Sequence, residues 1–108
     1  MIKVTYYIGT CDKDTYRKEL LDRDFYKVFD ELFGDYTLQR TQGVYTMKDA
    51  GTVVKEETFI VTTLVDEYDI KTINRLKMKI LNNVGTMKDV LNQESILVEI
   101  TKPNIMFL

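Results

Sequence analysis

Six patterned segments follow one another along this chain as strand, helix, strand, strand, helix, strand, and that order restricts the fold more than any other feature of its 108 residues. Ile2, Val4, Tyr6 and Ile8 alternate with Lys3, Thr5 and Tyr7, the period of two expected of a half-buried strand ending at Gly9. Residues 10–20 are polar without a sustained period and read as a loop. Asp22 fits an N-cap with Leu21 and Tyr26 as its hydrophobic staple. Phe25, Val28, Phe29, Leu32 and Phe33 then form an apolar stripe, which Gly34 stops as a left-handed residue. Residues 36–45 and about 52–64 are predicted strands, joined by a turn over 47–51 with Asp49 and Gly51 as its turn residues. Asp66 or Asp69 caps a second helix carrying Ile70, Ile73, the aliphatic stem of Lys77, Ile80, Leu81 and Val84, and Gly85 ends it. Residues 87–91 read as a short helical turn or loop, and 95–101 as a fourth strand with Ile96, Val98 and Ile100 on one face.

This order predicts an α+β fold of the ferredoxin-like βαββαβ type: a four-stranded antiparallel sheet with two helices on one face, residues 1–108 forming one domain. The other face is left open, yet the strands are apolar on both sides. Phe59 and Val61 alternate with Ile60, Thr62 and Leu64, Leu97 opposes Ile96 and Val98, and Tyr7 opposes its apolar neighbours. The chain closes on an apolar tail over 102–108, with Ile105, Met106, Phe107 and Leu108 after Pro103. Either the tail folds back over its own sheet, or copies pack sheet to sheet or exchange tails. The second reading expects a homo-oligomer, a dimer or higher, with Phe59, Val61, Leu97 and Phe107 at the interface.

The chain has no His, no Trp and one cysteine, Cys11, which excludes a His/Cys zinc cluster, a His-based triad and an internal disulfide. No cofactor is expected. Fifteen basic against 17 acidic residues give a net charge of −2, interspersed along the chain, which argues against a long nucleic acid as partner. A small anionic ligand needs only a few local cations. The first nine residues lack a signal-peptide pattern, no apolar run approaches the length that spans a bilayer, and the lone thiol suits a reducing interior. A bacterial host's cytoplasm is the expected compartment.

Residues 10–15 lack the glycine and the distal glutamate of a calcium loop, so no metal is expected there. They form either a solvated turn, with Asp12 and Thr15 bonding local backbone, or a ligand-contacting loop in which Lys13 offers a cation and Thr10 a hydroxyl. Arg40 either pairs across the ladder with Glu57 or Glu56, or presents its planar fork to a phosphate, with Tyr45 or Tyr7 stacking and Gly43 allowing close approach. Glu56 and Glu57 fall on opposite sides of a strand and cannot flank one bond. Cys11 has no histidine to activate it and reads as a loop residue. Lys71, Arg75, Lys77 and Lys79 read as the wet side of the second helix.

Several segments carry a likeness: Tyr6-Tyr7-Ile8-Gly9-Thr10, Asp12-Lys13-Asp14-Thr15, the hairpin Gln42-Gly43-Val44-Tyr45 through Gly51-Thr52-Val53-Val54-Lys55-Glu56, and Asn92-Gln93-Glu94-Ser95-Ile96-Leu97-Val98-Glu99. Together the chain resembles small ferredoxin-like proteins of unknown function from phages and mobile elements of low-GC bacteria. The resemblance implies a phage-like setting, in which small proteins often act as stoichiometric inhibitors of host functions, defence included. The resulting expectation is a non-enzymatic, counter-defence binding protein. It would sequester a small anionic ligand such as a cyclic nucleotide through Tyr7, Thr10, Lys13, Arg40, Tyr45 and Gln93. The alternatives are a protein inhibitor acting through its apolar sheet face or tail, and a small dimeric cofactor-free enzyme.

Overall fold

All six expected elements are present, in the expected order. The computed structural model describes residues 1–46, 51–66 and 70–108, and within them every side chain except those of residues 45 and 70–72. The elements are β1 (Ile2–Gly9), α1 (Asp22–Leu32), β2 (Thr37–Thr46), β3 (Val53–Val65), α2 (Ile70–Val90) and β4 (Leu97–Thr101). The strands form one antiparallel sheet in the order β2-β3-β1-β4, the ferredoxin-like arrangement that the element order predicts. Asp49 and Asp69, expected at a turn and a helix cap, lie outside the described residues. Gly51 has φ +63°, the left-handed backbone a turn asks of glycine.

The register decides which face each residue takes. Tyr6 pairs with Val61 and Val98, and Ile8 with Phe59, so these residues share the side on which the helices lie. There Ile2, Val4, Tyr6, Ile8, Phe59 and Val61 meet Phe25, Val28, Phe29 and Phe33 from α1 and its end, and Ile80, Met87 and Leu91 from α2 and its end. Aromatic rings fill the middle: Phe25, Tyr26 and Phe29 place their centroids 5.2, 5.5 and 5.7 Å from that of Phe59. Phe59 and Val61, expected at an interface between copies, are fully buried in this core and unavailable to a partner. The sequence pattern could not assign them because both faces of β3 carry apolar residues. Asn83, a polar residue on the buried stripe of α2, is hydrogen-bonded to the Tyr6 hydroxyl, which meets its polar need.

Both helices depart from the expected ends. Leu21, not Asp22, is the N-cap of α1, and the Asp24 carboxylate accepts its backbone N–H at 2.9 Å. Asp22 is thereby freed to pair with Lys18 and Arg40. Phe33 leaves the helix in an extended conformation, so no left-handed residue at Gly34 is needed. Gly85 does not end α2, which runs on to Val90. Continuing the stripe from Ile80 through Asn83 to Met87 and Leu91 buries both of the last two side chains, and that gain exceeds the roughly 1 kcal/mol that a helical glycine costs. Leu81, expected on this stripe, points outward and is exposed. A Cβ at Gly85 would meet no atom within 4 Å. Gly85→Ala is therefore expected to stabilise the fold by about 0.5–1 kcal/mol, read as a raised denaturant midpoint at unchanged slope.

The helix-free face carries Thr5, Tyr7, Ile60, Thr62, Leu64, Leu97 and Glu99, as their pairing and the strand alternation place them. The tail does not seal it: Met106, Phe107 and Leu108 are exposed, as are Leu64 and Leu97. The chain is also elongated. Its radius of gyration is 15.1 Å, against about 13 Å for a compact domain of this length. The β2–β3 ribbon contributes to this, because β1 follows β3 only as far as Thr58 while β2 stays paired with it to Val53.

Candidate functional site

A buried carboxylate marks the end of β1. Glu56 alternates with Thr58 onto the open face of β3 and is 6% exposed. Its Oε2 accepts the backbone N–H of Cys11 at 2.6 Å. Its Oε1 occupies the space that a side chain at position 9 would need: a Cβ built on Gly9 would lie 2.2 Å from it. Among the described residues no lysine or arginine pairs with Glu56. A carboxylate held away from water without a cation costs several kcal/mol, and this one is held by the backbone N–H and the thiol of Cys11 and by a gap that only glycine leaves.

The neighbouring groups fix the loop after β1 around that carboxylate. Thr10 gives both its N–H and its hydroxyl to the Glu57 carbonyl, at 3.2 and 2.9 Å. Gln93 donates its amide to the Cys11 carbonyl at 3.0 Å and to the Leu91 carbonyl at 3.3 Å. The Asp12 carboxylate accepts the N–H groups of Asp14 and Thr15 at 2.8 and 3.2 Å, and Asn92 bonds both Asp12 and Asp14. The Asn92 bond comes first among the influences that hold Asp12 below the usual carboxylate range. Residues 10–15 thus adopt the turn that their own side chains stabilise. Burial, then the hydrogen bond and charge of Glu56, push the Cys11 thiol up to about 12, so it stays protonated and is no nucleophile.

Beside this node on the open face stands Tyr7. It lies two residues before Gly9 on the same side of β1, in register with Ile60 and Leu97. Its hydroxyl donates to Glu99 at 3.4 Å, and its phenol is held above the ordinary value by desolvation and by that carboxylate. Thr58 and its β2 partner Thr41 add hydroxyls on the same side. The patch therefore offers an aromatic ring, hydroxyls and two carboxylates, a set suited to a ligand with a flat apolar part and a positive charge.

Of the six residues expected to hold a ligand, the five whose side chains are described do not converge. Tyr7 is on the open face, Thr10 and Gln93 are buried in bonds that shape the loop, and Lys13 is exposed with its N–H given to the Asn92 carbonyl at 3.0 Å. Arg40 is on the opposite face, paired with Phe59 in the ladder. Its guanidinium bonds Glu57 and Asp22, the latter at 2.9 Å, reaches the Tyr26 hydroxyl at 3.3 Å, and lies 5.7 Å from the Phe59 ring centre. Lys18 joins the same carboxylates. The cross-strand pair expected with Glu57 is thus formed, and the fork is already filled. The Tyr45 side chain lies outside the described residues. Sequence reasoning set aside Glu56 and passed over Glu99 and Thr58. A glutamate on the open-face parity of β3, next to a glycine that ends the neighbouring strand, is the signal that could have found the first.

Two hollows in the surface, one by Met1 and Pro103–Phe107 and one over residues 18–23, include none of these open-face residues. Among the described residues no helix is long and apolar enough to cross a membrane.

No family model matches this chain, and no curated protein does. Solved structures do. A phage SAM lyase in complex with S-methyl-5'-thioadenosine superposes with a TM-score of 0.69 at 17% identity, over 94% of this chain and 80% of the other. A phage SAM lyase in the apo state gives 0.64 at 21% identity, over 93% and 78%. The divalent ion tolerance protein CutA1 from Ehrlichia chaffeensis gives 0.50 at 12% identity, over 98% and 84%. At these identities the likeness establishes a shared fold.

It also corrects the expectation of a non-enzymatic protein, because this fold, across nearly the whole chain, is that of a lyase. The expectation rested on the lack of any nucleophile-base pair or metal set.

Proposed function

We propose that this chain is a small-molecule lyase for a sulfonium nucleoside of the S-adenosylmethionine type, bound on the open face between Tyr7 and Glu56. The observation that carries the reading is Glu56, a buried carboxylate with no cation paired to it among the described residues, set at the edge of an aromatic and hydroxyl-bearing patch. S-methyl-5'-thioadenosine, bound by one of the similar lyases, is what remains when the sulfonium loses its amino-acid arm. The bond from sulfur to that arm breaks as the arm's own carboxylate oxygen bonds to the same carbon and closes a lactone, and the pair of electrons from the broken bond returns to sulfur, which becomes neutral. The protein's task is then to hold the arm and the nucleoside in one pose, which needs no histidine or metal. In this reading Tyr7 stacks on adenine, Thr58 and Thr41 meet polar edges, and the carboxylates face the cationic end of the ligand. The phage setting suggested by the short motifs fits the same picture. Retention of an anionic nucleotide finds little support, since Arg40 is filled by carboxylates and Lys13 stands apart from it.

Incubation with excess S-adenosylmethionine tests this directly. S-methyl-5'-thioadenosine is expected to accumulate beyond the molar amount of protein, measured by liquid chromatography. Intact substrate after prolonged incubation would refute the reading.

A further inference from the structure

The outer side of α2 combines three properties that the chain's own fold does not account for. The helix holds five cations, Lys71, Arg75, Lys77, Lys79 and Lys88, and one acid, Asp89, in a chain whose net charge is −2. Arg75, Lys77, Lys79 and Lys88 are exposed, and among the described residues no carboxylate pairs with any of them, whereas Lys18 and Arg40 are tied into ion pairs. Between these cations Met78 and Leu81 stand 60% and 66% exposed. Gly85 follows four residues after Leu81 on the same side, within about 20° of Met78. A Cβ there would meet no atom within 4 Å, so nothing packed inside the chain calls for a glycine at this point of a helix. Arg75, Met78, Leu81, Gly85 and Lys88 follow one another in steps of three and four residues and form a ridge about 20 Å long. It has a cation at each end, with two apolar side chains and bare backbone between.

We infer that this ridge docks an acidic amphipathic helix of another protein. The partner's apolar stripe sits on Met78 and Leu81, its backbone passes close over Gly85, and its carboxylates meet Arg75 and Lys88. Charge selects the occupant. A second copy would set the same cations against each other, so this face repels itself. A bilayer needs a broad apolar face, and that of α2 is already buried against the sheet through Ile80, Met87 and Leu91. A nucleic acid would meet the cations but gain nothing from Met78, Leu81 or the bare backbone. An apolar centre with a charged rim is the build of a protein interface, in which methionine and arginine are favoured. The ridge lies across the sheet from Tyr7 and Glu56, so a docked helix and a ligand on the open face do not compete.

Fluorescence anisotropy at low salt tests this with a labelled synthetic helix that carries leucine on one stripe and glutamate elsewhere, and with a counterpart in which lysine replaces glutamate. The natural chain is expected to bind the glutamate helix with a micromolar dissociation constant and to leave the lysine helix free. Leu81→Ala and Arg75→Glu should each weaken binding about tenfold or more, while Lys27→Glu, the same charge change on the exposed side of α1, leaves it unchanged. Gly85→Gln separates docking from folding. It should melt no lower than the natural chain yet lose about tenfold in affinity, because a side chain then stands where the partner's backbone lies. No binding of the glutamate helix, equal binding of the two helices, equal losses in Arg75→Glu and Lys27→Glu, or full affinity in Leu81→Ala or Gly85→Gln would each overturn the inference. Tighter binding of anionic vesicles or of single-stranded RNA than of the glutamate helix would overturn it too, with a bilayer or a nucleic acid as the occupant.

Discussion

Phe59→Ala is expected to leave the protein close to unfolded at room temperature. Phe59 is fully buried and stands where three rings from α1 converge on the sheet, with the Arg40 guanidinium over its ring. Truncation removes the apolar transfer gain and leaves a cavity that four neighbours on two different elements cannot all close. Phe→Ala changes of this kind cost about 3–5 kcal/mol, and a domain of this size holds only about 5–15 kcal/mol in all. Leu97→Ala, on the exposed edge strand, serves as the contrast and should change the stability of a single chain by less than about 0.5 kcal/mol. Urea unfolding followed by circular dichroism gives both values. A Phe59→Ala loss below about 1 kcal/mol would mean that the core lies elsewhere.

That position also shows where reading the sequence stops. β1 was legible because the alternation in Ile2–Ile8 is strong, β3 because β-branched and aromatic residues follow a turn signal, and α1 because its stripe recurs at helical spacing. Which side of β3 turns inward was not legible, since Phe59-Val61 and Ile60-Leu64 are equally apolar and only pairing with Tyr6 and Ile8 separates them. The length of α2 was misjudged for a similar reason. Gly85 is a local stop signal, whereas the burial of Met87 and Leu91 that overrides it depends on a sheet built from distant segments. The site follows the same rule. Tyr7 could be singled out from its parity on β1, but the environment of Glu56 is made by Gly9 and Cys11, some 45 residues away, through a backbone donor, a thiol and an absent side chain. For Arg40 the pair with Glu57 was among the expected readings and forms, whereas its second partner, Asp22, comes from α1 and left no local signal.

Glu56→Gln should lower kcat/KM for S-adenosylmethionine by roughly 100-fold or more, with most of the change in KM. At an effective dielectric of about 20, a carboxylate some 4 Å from a unit positive charge is worth about 4 kcal/mol, and partial access of water reduces that figure. The sulfur loses its charge as the bond breaks, so this attraction is felt more by the bound substrate than by the transition state. A group whose role is to take a proton during the step would show the opposite split, with the loss in kcat. The amide is nearly isosteric and retains an oxygen to accept the Cys11 N–H, so the variant is expected to fold. Gly9→Ala provides an independent check. Its new Cβ would lie 2.2 Å from the Glu56 Oε1, and the carboxylate, at the far end of a flexible side chain, must leave its seat while keeping its charge. If Glu56 only ties the loop to β3, both variants lose stability and keep their KM. If it meets the ligand, both raise KM, and Gly9→Ala does so without removing any charge from the protein.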